Sequence, residues 1–184
     1  MLYALVVGVG LGLLLRGRLD RLGEVRLRWA GVAIAGLAVQ VALFSAPVAD
    51  VVGDLGPPAY VASTAAVLVA VLANLRVPGL AFIALGAASN LAAIVANGGF
   101  MPVSPDALAA LGKPPGGGYS NSSVDGPVAL APLTDIFVLP SWVPMSNVFS
   151  IGDVLIGFGV AVTIVVAMRD PRLDPGPDRM PGRT

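Results

Sequence analysis

The chain contains no cysteine and no histidine. Those two absences remove thiol catalysis, Cys/His zinc sites, Ser-His-Asp triads and His-ligated haem together. Any metal ion would have to rely on carboxylates and carbonyls, and neither a metal nor a cofactor is expected. Charge is scarce as well. Only 12% of the 184 residues are charged, against about 25% in soluble domains, too few to clothe a water-soluble globule. The formal net charge is zero, which leaves no basic excess for nucleic acid. Lysine occurs once, as Lys113, and the other ten basic residues are arginine, a bias associated with high-GC bacterial genomes.

Hydrocarbon is what the chain has in quantity. Hydrophobic residues make up 56% of it, and five apolar runs stand out, at 1–15, 30–46, 59–75, 79–97 and 149–168. A membrane span needs about 20 residues, within a range of about 17–25, and the last four runs qualify. The first would reach about 22 Å at the helical rise and belongs near the membrane edge or in a thinned bilayer. None carries a polar stripe, so each reads as a helix that is apolar all round. The expected fold is all-α: an integral membrane bundle of about five transmembrane helices in one domain, residues 1–170, with a disordered cytoplasmic tail at 171–184.

The connections orient the bundle. Arg16, Arg18, Arg21, Arg26 and Arg28 follow the first run, and Arg76 follows the third. Arg169, Arg172, Arg179 and Arg183 follow the fifth. The loop at 47–58 carries only Asp50 and Asp54, and the long loop at 98–148 carries Lys113 against Asp106, Asp125 and Asp135. Basic residues mark cytoplasmic loops, so the N-terminus is expected outside and the C-terminus inside. The first run has no positive flank before it and no cleavage site after it, as a retained helix would. The expected setting is the bacterial plasma membrane, with the lipid bilayer as the chief partner. Arg16–Arg28 places Leu15, Leu19 and Leu22 on one helical face, as an interfacial helix would, but the favoured reading is a cytoplasmic topology anchor, since positive-inside bias alone requires such a loop.

The external loop is rich in proline and glycine. Ser104-Pro105-Asp106, followed by an alanine-leucine stretch and Gly112, predicts a two-turn helix with Ser104 as its cap. Gly112–Ser123 reads as linker, and its Asn121-Ser122-Ser123 sequon carries little meaning in a bacterium. Val128–Val143 is apolar but broken by Pro132 and Pro140, and is expected to lie on or dip into the outer face.

Asp153 is the one acid or base inside any of the five runs. A charge in hydrocarbon costs about 2.5–3.5 kcal/mol on insertion scales, so it belongs at the membrane edge or serves a purpose. Ser150-Ile-Gly-Asp153 has capping-box spacing, which would put Asp153 at the outer start of the last helix. The functional alternative is an outward-facing acid for proton handling, cation contact or hydrolysis. Asp135 and Asn97 are candidates to join it from the same side. Asn90, Asn74 and Gln40 read as polar contacts between helices, with Asn90 near mid-membrane. Gly8-x-x-x-Gly12 permits close helix contact but is one weak motif.

The string Asn97-Gly-Gly-Phe-Met101-Pro-Val-Ser104, with Asn147-Val-Phe-Ser150-Ile-Gly-Asp153-Val-Leu-Ile156, resembles a bacterial membrane family known only as a domain of unknown function, number 5317. Leu133-x-Asp135-x-x-x-Leu139-Pro140 fits the same family's pattern. The resemblance covers most of the chain and implies a multi-pass membrane protein with no established activity. The glycine-rich middle of the outer loop, without histidine, departs from it. A second similarity is to lipoprotein signal peptidase, whose paired aspartates lie in motifs of the form GN-x-x-D and FN-x-AD. Phe149-Ser-Ile-Gly-Asp153 is similar to the second. Ser89-Asn90-Leu-Ala-Ala93 is similar to the first, with Ala93 in place of the aspartate. That mechanism needs two carboxylates, so Asp135 would have to replace the missing one.

The leading expectation is a non-enzymatic membrane protein whose outer face binds a small ligand or another membrane protein. Its candidate binding residues are Asn90, Asn97, Met101, Asp135, Ser150 and Asp153. One alternative is an aspartate-dependent membrane hydrolase using Asp135 and Asp153. Another is a small transporter, which the lack of paired broken helices disfavours.

Overall fold

A computed structural model describes residues 2–112, 122–123 and 127–174. Lys113, Asn121, Asp125, most of the glycine-rich linker and the tail from 175 lie outside the described residues. The chain is mostly helical. Its α-helices are α1 (Leu2–Leu14), α2 (Ala30–Leu43), α3 (Ala46–Ala49), α4 (Gly56–Leu72), α5 (Leu80–Ala96), α6 (Pro105–Leu111) and α7 (Ile151–Arg169). Two small strand pairs were not expected from the sequence. β1 (Met101–Pro102) runs parallel to β2 (Ser122–Ser123), and β3 (Phe137–Val138) runs antiparallel to β4 (Val148–Phe149).

Each long helix has identifiable ends. Pro57 and Pro58 occupy the first turn of α4, where the missing amide hydrogens cost nothing. Gly79, at φ 92°, starts α5. That helix closes with Gly98 N–H on the Val95 carbonyl at 3.3 Å and Gly99 N–H on the Ile94 carbonyl at 2.8 Å. This pair of bonds is a Schellman end, which needs a left-handed residue after the cap, and Gly98 supplies it at φ 69°. Gly99 then lies so close to Pro57 that a side chain would collide with the proline ring.

The principal helix contacts form a row, α1 on α7, α7 on α5, α5 on α4 and α4 on α2. Glycines set the spacing. A Cβ on Gly86 of α5 would overlap the Gly152 carbonyl of α7, and one on Gly159 would meet the Gly79 carbonyl at 2.6 Å. Gly8 and Gly12 of α1 seat against Ala161, Ile164 and Met168 of α7. The lone Gly8-x-x-x-Gly12 motif therefore does make a helix contact, and its partner is α7.

Large side chains point the other way. Leu14 is 79% exposed, Val41 73% and Ile34 68%, while Ala84, Ala87 and Ala93 are buried. The region Gly53–Leu72 and helix α7 are both long and apolar enough to cross a membrane, and only 22% of each is buried. Helices α1, α2 and α5 are apolar but shorter.

Several local expectations need correction. No amphipathic helix forms across Arg16–Arg28; only Leu19–Glu24 wind, as a 3-10 turn. Arg18 pairs with Asp20, and Arg21 donates to Asp174 at 2.7 Å. These bonds hold the turn against the chain after α7, where Pro171–Leu173 make another 3-10 turn. Helix α6 forms where its punctuation placed it, but Ser104 makes no side-chain cap bond. The broken segment after Val128 is not one surface element. It has a 3-10 turn at Ala131–Leu133, a bridge from Asp135 to Val103, and then β3.

Candidate functional site

The site forms where α7 begins. Ser150 is the N-cap residue in extended conformation, and both bonds of the capping box are present. The Ser150 hydroxyl accepts from the Asp153 N–H at 3.1 Å, and the Ser150 N–H donates to Asp153 Oδ2 at 3.1 Å. The carboxylate thus sits at the positive end of the helix dipole, where negative charge is stabilised.

The neighbouring helix closes a ring around this cap. The Ser150 hydroxyl donates to Asn90 Oδ1 at 2.9 Å, and Asn90 Nδ2 donates to Asp153 Oδ1 at 3.0 Å. Each partner has one available role. The Ser150 oxygen already accepts, so its hydrogen must find an acceptor, and the amide oxygen of Asn90 provides it. The amide nitrogen of Asn90 then faces the carboxylate. Ser150 is completely buried. Gly152 makes the ring possible, because a Cβ there would occupy the position of the Asn90 amide. Asn90 was expected near mid-membrane and apart from the acids; its partners place it level with the first turn of α7.

Asp153 retains lone pairs beyond these bonds, and two hollows reach it. One is a cavity of about 460 Å³ between the start of α1, the β3–β4 connection and α7, bordered by Tyr3, Met145, Asn147, Phe149 and Val154. Tyr3 ties the wall together by donating its hydroxyl to the Pro144 carbonyl. The other is a groove of about 490 Å³ among α2, α4, α5 and α7. Tyr3 had no signal in the sequence, and Asn147 stood out only as part of the family string, because their place in the wall depends on a hairpin that hydropathy does not reveal.

Asp135 is held in the loop before β3 and lines neither of these two hollows. Its N–H donates to the Pro102 carbonyl at 3.0 Å, and its carbonyl accepts from the Ser104 N–H at 3.1 Å. These bonds fasten the backbone, and Asp135 as a whole is 8% exposed. Its Oδ1 is buried with no hydrogen-bond partner among the described residues. Burial, and secondly the negative charge of Asp153, push this carboxyl up to about 7. The charge of Asp153 is thus felt at Asp135.

Asn97 and Met101 lie in other surroundings. Asn97 donates to the Ala93 carbonyl at 2.7 Å and to the Ala129 carbonyl at 2.9 Å, and accepts from the Ala129 N–H at 2.9 Å. It clamps the loop to the end of α5. Met101 is 4% exposed in a core cluster with Leu43, Tyr60, Ala93 and Ile94. Among the described residues no group of three or more acids is arranged to hold a metal ion.

The model of the Family of unknown function (DUF5317) matches residues 24–165, and the chain belongs to that family. The matched region contains the ring, Asp135 and Asn97. No curated protein and no solved structure matches the chain. The similarity to lipoprotein signal peptidase gains no support from these comparisons.

The raised Asp135 carboxyl carries a sign for stability. Between the ordinary value and about 7, the folded chain holds a proton that the unfolded chain releases. Its stabilising contribution is complete below about pH 4 and falls as pH rises towards 7. Asp135→Asn should remove this slope and raise stability at pH 8 by up to roughly 4 kcal/mol. Thermal unfolding in detergent across this range checks it; an unchanged slope in the variant would show that Asp135 is not the titrating group.

Proposed function

We propose that the chain is a multi-pass protein of a bacterial plasma membrane that binds a small ligand or a protein partner at its outer face, without catalysing a reaction. The N-terminus is outside and the C-terminus cytoplasmic. Support for the membrane setting comes from the direction of the side chains. Large aliphatic residues face outwards while glycine, alanine, serine and asparagine face inwards, the arrangement lipid favours and water penalises. Arginine distribution supports the orientation.

One observation carries the binding reading: the Asp153 carboxylate is fixed by Asn90 and the Ser150 amide while it borders a cavity of about 460 Å³. A carboxylate held in this way is a preorganised acceptor for a cationic or hydrogen-bond-donating group. A hydrolase is the second reading, favoured by Asp135, whose carboxyl is pushed up to about 7 by burial and by Asp153. Acid–base hydrolysis uses a carboxyl that holds its proton near neutral pH together with a second carboxylate.

Topology is testable against a clean background, because the chain has no cysteine. Ser141→Cys should react with a membrane-impermeant maleimide on intact spheroplasts, and Arg172→Cys should react only after lysis. The reverse pattern would invert the orientation. Asp153→Asn tests the site: its one side-chain oxygen can still accept from the Ser150 N–H, while the bond from Asn90 and the charge are lost. Co-purification from native membranes should show bound ligand reduced by about tenfold or more, with stability lowered by about 1–2 kcal/mol. Unchanged ligand in the variant would leave Asp153 with capping alone.

A further inference from the structure

The groove of about 490 Å³ among α2, α4, α5 and α7 is a second hollow with a chemistry of its own. It follows from the row of helices: α2 packs mainly on α4, and α4 on α5, so a concave slot opens alongside them. Its walls include Ala33, Leu37, Val67, Val71 and Ile83, and Arg28 stands at the end opposite Asp153. The Arg28 backbone is immobilised. Asn74 Oδ1 accepts from the Arg28 N–H at 2.8 Å, and Asn74 Nδ2 donates to the Arg28 carbonyl at 2.8 Å. Asn74 itself is 9% exposed and also holds the Ala70 carbonyl at 2.7 Å.

Arg28, like Arg16 and Arg26 and unlike Arg18 and Arg21, makes no ion pair among the described residues. Of these three arginines, it is the one that lines the groove. An arginine with a fixed backbone and no acidic partner among the described residues, lining an apolar slot, complements an amphiphile with an anionic head and a hydrocarbon tail.

We propose that this groove is a binding site for an anionic glycerophospholipid of the cytoplasmic leaflet, with its phosphate on Arg28 and one acyl chain between α2 and α5. The site rests on the membrane reading above; its Arg28 end is distinct from the cavity beside Tyr3, although Asp153 borders both hollows. Asn74 explains why the sequence places an asparagine one residue beyond the α4 cap: it fixes the register of the cation against the slot.

The test uses the full chain reconstituted in vesicles of phosphatidylglycerol or of phosphatidylcholine with matched acyl chains, then extracted for native mass spectrometry. Wild type should retain phosphatidylglycerol in preference to phosphatidylcholine. Arg28→Gln should lower that retention about fivefold, while Arg76→Gln, on the same side but outside the groove, should not. The Asn74 clamp holds only the Arg28 backbone, so this variant keeps its fold. Ala33→Trp, which fills the slot, should reduce retention of both lipids. Equal retention by wild type and Arg28→Gln overturns the proposal. So does displacement of the lipid by inorganic phosphate, or a second copy of the chain bound in place of lipid. Flotation with vesicles after a carbonate wash separates the two readings: a chain that floats but retains no lipid refutes the groove alone, and one that does not float refutes membrane insertion.

Discussion

The architecture depends on how closely α5 and α7 approach. Gly86 and Gly152 bring the two backbones to a separation that no side chain would allow. At that distance the Asn90 amide reaches both the hydroxyl that caps α7 and the carboxylate that completes the cap. On the membrane reading proposed above, the helices gain nothing from hiding hydrocarbon from one another, so contact between them rests on close packing and hydrogen bonds. The Asn90–Ser150–Asp153 ring and its glycine bed supply both at one point. α1 then adds to the far side of α7 through Gly8 and Gly12, and α4 and α2 extend the row from α5.

Asparagine performs one task at two other positions. Asn74 and Asn97 each follow a helix, bond back to a carbonyl four residues earlier, and pair with both backbone groups of a distant residue, Arg28 and Ala129 respectively. A side-chain amide reproduces the donor and acceptor of a peptide group. In a chain with few charges, it joins loops to helices without placing ions near hydrocarbon. The arginines and acids that do pair, Arg18 with Asp20 and Arg21 with Asp174, lie in the turns beyond α1 and α7.

Much of this was legible in the sequence, and the parts that were not have physical reasons. The long helices could be read because hydropathy is a property of each segment alone; α5 was expected at 79–97 and occupies Leu80–Ala96. The Ser150–Asp153 cap was legible because its spacing is local. The meeting of Asn90 with the Ser150–Asp153 cap was not legible, because its partners lie on another helix, and only the stagger of α5 against α7 decides which turn faces which. Asn97 and Met101 attracted attention through a distinctive string whose demands prove structural: a Schellman end at Gly98 and Gly99, a clamp at Asn97 and a core side chain at Met101. The burial of Asp135 follows from β-bridging to Val103, and a two-residue pairing leaves no periodic trace. Tyr3 and Asn147 enter the cavity wall through long-range folding.

The central claim is that Asn90 and Asp153 act as one interhelical unit that positions the carboxylate. A double-mutant cycle of Asn90→Ala and Asp153→Ala, followed by reversible unfolding in mixed micelles, measures it directly. The ring predicts a coupling energy of about 1 kcal/mol. Effects that add to within about 0.3 kcal/mol would mean that the two residues act independently, contradicting the ring as the organising contact between α5 and α7.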